Sequence, residues 1–138
     1  YSRESHVHEL CGDVMPLLSS ATGRCFAAHV APEAIAPLVR EELARAQKLQ
    51  RTDLPRTQAE VNTLLAEVRS RGVARVVDTL LPGIVGFCAP VFDADGHMAL
   101  GIVTLGSIAT FDPEWGGAVE RPLRSAALQL SQDLGWRA

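Results

Sequence analysis

The longest apolar pattern in the chain runs from Gly83 to Ala109, GIVGFCAPVFDADGHMALGIVTLGSIA. Ile84 to Phe92 is almost unbroken in its hydrophobicity, and so is Met98 to Val103. Between them stand Asp93, Ala94, Asp95 and Gly96. An Asp-Gly pair between two apolar runs predicts a tight hairpin, because glycine enters positive φ without steric cost. Neither run alternates with polar residues as a strand wetted on one face would. Both strands are therefore expected to be covered on both faces.

Helical spacing takes over on either side. Ser19 or Ser20 can cap a helix whose apolar body is Cys25, Phe26, Ala27, Ala28 and Val30. Pro32 opens a second, with Ile35, Leu38, Val39 and Leu43 at i, i+3, i+4 and i+8. Ala46 to Arg56 is polar, contains Pro55, and is expected to be a loop. Thr57 to Arg71 reads as a third helix with the stripe Val61, Leu64, Leu65, Val68. Thr57 and Glu60 have capping-box spacing, and Gly72 ends the element. Val73 to Thr79 is a strand and Leu80 to Gly83 a turn into the hairpin. Asp112 and Pro113 predict the start of the last helix, along which Val119, Leu123, Ala127, Leu130 and Leu134 recur. Near the amino end, Ser5 to Cys11 alternates loosely and predicts a short, partly exposed strand. The sum is an α/β (α+β) fold, a sheet dressed with helices, in one domain over residues 1–138.

Composition narrows the function classes. Hydrophobic residues make up 47% and charged residues 21% of the 138, which suits a packed core and not disorder. No apolar run reaches the length of a membrane span, so no membrane partner is expected. The net charge of -3 argues against this piece gripping nucleic acid by itself, since phosphate binding needs clustered Lys and Arg. Cys11, Cys25 and Cys88 are odd in number and widely spaced, a pattern of a reducing cytoplasm and not of a disulfide framework. The chain begins at Tyr1, and is expected to be a piece of something longer.

Candidate chemistry concentrates at Ser19 to Arg24. A capped helix start exposes backbone N–H groups and carries partial positive charge. The small residues Ser20, Ala21, Thr22 and Gly23 let a ligand approach that backbone, a recipe for holding a carboxylate or other small anion. Catalysis is less supported. Cys25 follows Arg24, which would favour a thiolate, and Cys88 lies in an apolar strand, but core packing is the expected role of both and no convincing base accompanies either. There is no GxSxG and no phosphate- or dinucleotide-binding glycine pattern. His6, His8, Cys11, His29, His97 and Cys88 show no metal-ligand spacing, so neither metal nor cofactor is expected. Asp93 and Asp95 belong to the turn.

The order of these pieces resembles the effector-binding domain of IclR-type bacterial transcriptional regulators. Met15 to Ala28 is similar to that family's LPLHATALGKALLA, Val68 to Val73 to its IRxRGY, and Pro82 to Asp93 to its PGVRCIAAPVFD; Leu105-Gly106 stands at its S-G. The resemblance runs from about Gly12 to the end. It implies a GAF-like curved antiparallel sheet flanked by helices, with the first part of the domain and the DNA-binding winged helix-turn-helix domain outside this chain. It implies a regulator, not an enzyme, whose partners are a small-molecule effector, DNA through that other domain, and further copies in a homodimer or homotetramer. Carried over by position, the backbone of Ala21 and Thr22 meets the polar end of the effector, and Val76, Gly86, Val103 and Leu105 line the rest. Ser20, Gly23 and Cys88 complete the ligand-binding set.

Members that sense small keto acids carry Asp, Cys, Ser and Ser at those four lining positions, where this chain has no polar side chain. A keto acid held against Val and Leu would leave polar atoms unpaired. The expected effector is therefore more apolar, an aromatic acid with its anionic end on the helix start. The alternatives are a cysteine-dependent enzyme and a ligand-free oligomerisation domain.

Overall fold

A computed structural model describes residues 16–79 and 81–137. The strand expected over Ser5 to Cys11 lies outside the described residues. Three helices come first: α1 (Ala21–His29), α2 (Pro32–Lys48) and α3 (Gln58–Arg71). Three strands follow, β1 (Ala74–Val77), β2 (Ile84–Phe92) and β3 (Met98–Ser107), and then α4 (Glu120–Asp133). The strands form one antiparallel sheet in the order β1-β2-β3. This is the mixed fold the patterning predicts.

Turn chemistry sets the hairpin register. Gly96 takes φ 84°, and Asp93 Oδ1 accepts from the N–H groups of Asp95 and His97 at 2.9 and 3.0 Å. Gly86 then sits opposite Val76 on one side and Leu105 on the other, while Cys88 pairs with Ala74 and Val103. A bulge between Val91 and Phe92 absorbs the offset near the turn.

Alternation along β2 divides the core in two. Val85, Phe87, Ala89 and Val91 pack with Leu123 and Ala127 of α4. Ser131 Oγ accepts from Phe92 N–H at 2.9 Å and donates to Ala127 O at 2.8 Å, fastening α4 to the sheet. Cys88 belongs to the other half, with Ala74, Val76, Ala21, Cys25 and Ala28. Ile35 and Val39 of α2 and Val61, Leu65 and Val68 of α3 extend that half outward.

Three expectations need correction. β2 is covered on both faces, but β3 is not: Leu100, Val103 and Leu105 are 46%, 39% and 54% exposed. Within the described residues β3 is the last strand of the sheet, and the helices that close over β2 leave its outer side chains open. The loop expected from Ala46 starts later, because Ala46 is buried and α2 runs on to Lys48. Asp112 does not cap a long helix; its carboxylate accepts from Glu114 and Ala118 N–H, both at 3.0 Å, holding a turn. Gly116 at φ 73° then redirects the chain, and α4 begins only at Glu120.

Candidate functional site

The start of α1 follows from one serine. Ser20 Oγ accepts from Gly23 N–H at 2.9 Å and donates to Pro16 O at 2.7 Å. Gly23 has to be glycine, since a Cβ there would lie 2.2 Å from Pro16 O and 2.6 Å from Leu17 Cα. The entering chain therefore lies directly on the first turn. Among the described residues, no group accepts from the N–H of Ala21 or Thr22. These are two of the orphan donors every helix start carries.

Helical spacing turns Ala21, Cys25 and Ala28 toward the sheet. Ala21 arrives above Gly86, where a Cβ would stand 3.6 Å from Ala21 Cβ, 3.3 Å from Val76 Cγ2 and 2.9 Å from Leu105 Cδ2. Four of the nine residues expected in the ligand-binding set thus meet at one point. Ser20, Gly23 and Thr22 adjoin it as the same helix start, with Thr22 half-buried. Cys88 lies one alternate position along β2, fully buried, with Val103 opposite. Val103 and Leu105 are the exposed members, flanking Gly86 and Cys88 on the outer strand.

Two charged side chains, Glu42 and Arg24, brace this helix start. Glu42 of α2 accepts from Leu17 N–H at 2.7 Å and Leu18 N–H at 3.0 Å. The backbone just upstream of α1 therefore already holds a carboxylate, supplied by the chain itself. Arg24 donates from Nε to Leu18 O at 2.8 Å and from Nη1 to Arg75 O at 3.4 Å, tying α1 to β1. Burial lowers the Arg24 pKa, opposed by the negative charges of Asp53 and Glu67. Arg24 falls four residues after the capping serine, a spacing that places it on the same side of the turn. No sequence signal marks Glu42, because its partners are backbone groups 24 and 25 residues away.

Cys25 packs in the core, as expected, and Arg24 does not make it a thiolate. The neighbouring Cys88 thiol first, and burial second, push its pKa far up. Both cysteines are free and buried. The pair is a neutral packing contact, the opposite of an activated nucleophile. His29, at the other end of α1, packs edge-on against Phe92 at 5.2 Å between centroids. Burial and then Arg69 lower its pKa, which favours the neutral ring. Asp93, Asp95 and His97 bring ligand atoms within 4.8 Å of one another at the hairpin tip, and the turn bonds of Asp93 account for the grouping. The α1–sheet junction thus sets apolar side chains beside a helix start whose first two N–H groups have no partner among the described residues.

Comparison with known proteins follows the same lines. The sequence profile of the bacterial transcriptional regulator IclR C-terminal family matches residues 2–132. The crystal structure of Pseudomonas aeruginosa HmgR is similar, with 32% identity and a TM-score of 0.77 over 89% of this chain and 46% of that one. The C-terminal domain of the E. coli transcriptional regulator KdgR shares the fold at 21% identity and a TM-score of 0.69, covering 88% of this chain and 72% of that domain. The Thermotoga maritima IclR structure does so at 23% and 0.65, covering 87% of this chain and 47% of its own. The chain thus spans about half the length of HmgR and of the Thermotoga protein. A search of curated protein sequences finds no match.

Proposed function

The chain belongs to the IclR C-terminal family of bacterial transcriptional regulators, and from that premise we propose that it senses a small organic acid, an aromatic one, at the junction of α1 with the sheet. The observation that carries this reading is the meeting of Ala21, Val76, Gly86 and Leu105 at a helix start where the N–H groups of Ala21 and Thr22 have no acceptor among the described residues. The amides and the positive end of the helix take the carboxylate. Val76, Leu105 and Val103 accept an apolar ring once the exposed Leu105 side chain swings off Gly86. A keto or sugar acid would find no side-chain donor among these four lining residues, which sets the preference.

In the whole regulator, occupancy would bias DNA binding by a domain outside this chain, and copies would associate as a dimer or tetramer. Nothing in the described site performs acid–base or nucleophilic chemistry, so the reading is of a sensor and not an enzyme. Calorimetric titration with benzoate and with pyruvate tests it. Benzoate is expected to bind at least about tenfold more tightly, a difference of about 1.4 kcal/mol. Tighter binding of pyruvate defeats the preference, and binding of neither defeats the site.

A second reading, an assembly domain, draws on the exposure of Leu100, Val103 and Leu105 along β3. Light scattering across a concentration series separates the two: an assembly that forms fully in apo protein and ignores benzoate favours it.

A further inference from the structure

A cavity of about 380 Å³ opens between α1, α2 and α3, away from the sheet. Ala21 and Cys25 turn toward the strands, whereas Ala27 lines this second space. Its volume is in the range of small-molecule sites. From α3 it takes Gln58, Val61, Asn62, Leu65 and Arg69, at i, i+3, i+4, i+7 and i+11. That stripe is one face of the helix and runs about 16 Å along it. Ile35 and Val39 of α2 close the opposite wall. The lining holds no aromatic residue, and Val61 and Val39 are buried floor. The space is elongated along α3 and its apolar lining is aliphatic.

Its polar groups are confined to the rim and are unequal. Gln58 Nε2 donates to Asn62 Oδ1 at 3.0 Å, so that pair is partly satisfied internally. Arg69 donates from Nη1 to Ala28 O at 3.1 Å, which uses one of five guanidinium donors. No carboxylate among the described residues pairs with Arg69, and Glu33 on the same rim lies beyond ion-pair distance. A cation with spare donors at the edge of an apolar slot selects an anionic head on an apolar tail. The Glu42 clamp on Leu17 and Leu18 helps keep α2 in position over the slot.

We propose that this cavity is a second ligand site, which takes an unbranched aliphatic carboxylate with its chain along Ile35, Val39, Val61 and Leu65 and its head on Arg69. α1 is a wall of both sites. The test is calorimetry on the 138-residue chain with decanoate and with decyltrimethylammonium, which share a tail and differ in charge. Decanoate is expected to saturate at one per chain and to bind at least about tenfold more tightly than the cation. Arg69→Gln, at an exposed position, is expected to erase that preference. Ala36→Trp fills the slot and is expected to abolish decanoate binding while leaving benzoate titration unchanged. Gly86→Val, which crowds the α1–sheet junction, is expected to leave decanoate binding intact. Absence of saturable decanoate binding, equal binding of the cation, or an unchanged affinity in Arg69→Gln overturns the inference. So does loss of decanoate in a folded Gly86→Val, since the ligand would then occupy the first site. Failure of benzoate alone leaves this second site standing.

Discussion

Leu105 reaches over Gly86 from the neighbouring strand, its Cδ2 2.9 Å from where a Cβ on the glycine would lie. The absent side chain makes the floor of the junction. Leu105 is 54% exposed and can swing away, whereas Val76 at 3.3 Å is buried and cannot. Gly86→Ala is therefore expected to cost about 1 kcal/mol and Gly86→Val about 2–3 kcal/mol by overpacking. Benzoate affinity should fall in both. Urea denaturation and calorimetry check the pair; undiminished affinity in Gly86→Val places the ligand elsewhere.

Gly23→Ala meets backbone and not a flexible side chain, since Pro16 O and Leu17 Cα lie 2.2 and 2.6 Å from the added methyl. The entering chain would have to lift off α1, breaking the Ser20 cap. A loss of at least about 3 kcal/mol is expected. Urea denaturation showing stability within about 0.5 kcal/mol of the parent would contradict this packing.

Glu42→Gln leaves one oxygen for two N–H groups now served by a carboxylate at 2.7 and 3.0 Å. The expected cost is about 1–3 kcal/mol. Amide hydrogen exchange should quicken at Leu17 and Leu18 more than in β2. Equal protection before and after the substitution would remove Glu42 from its clamping role.

His29 supplies a pH dependence. Its folded pKa lies below the ordinary value of about 6.5, through burial first and Arg69 second. Between the folded and unfolded values the unfolded chain binds more protons, so stability is complete above about pH 6.5 and declines as pH falls below it. His29→Gln is expected to flatten the decline of stability below about pH 6.5. Chemical denaturation at several pH values measures the slope, and equal slopes for parent and variant would refute the assignment.

Cys25 and Cys88 are expected to resist iodoacetamide in the native state and to react on unfolding, because both are buried and the Cys88 neighbour and burial hold Cys25 as a thiol. Peptide mass spectrometry reads each position separately from Cys11. Rapid native labelling at Cys25 would revive the cysteine-enzyme alternative.

Much of this was legible locally. The Asp93–Gly96 turn, the Ser20 and Thr57 caps and the Gly72 stop are short-range devices, and each acts at its expected place: Thr57 accepts from Glu60 N–H at 3.2 Å and Gly72 takes φ 76°. Even the capping box departs in one detail, for Glu60 accepts from Arg56 N–H and not from Thr57. The last helix was misplaced because Asp112-Pro113 has the composition of a cap but serves a turn that Gly116 ends. β3 was misread because hydrophobicity reports what a strand can bury, not whether anything reaches it.

Residue order by itself determined the periods, caps and turns, hence the elements and the alternation that puts Gly86 and Cys88 on one face and Phe87 on the other. Those are properties of neighbours within four positions. Only the tertiary structure decided that Ala21 lies over Gly86, that Glu42 reaches back to Leu17, and that α2 stands off from α3 around an open slot. Such contacts join residues tens of positions apart, and their energies depend on how whole elements settle against one another.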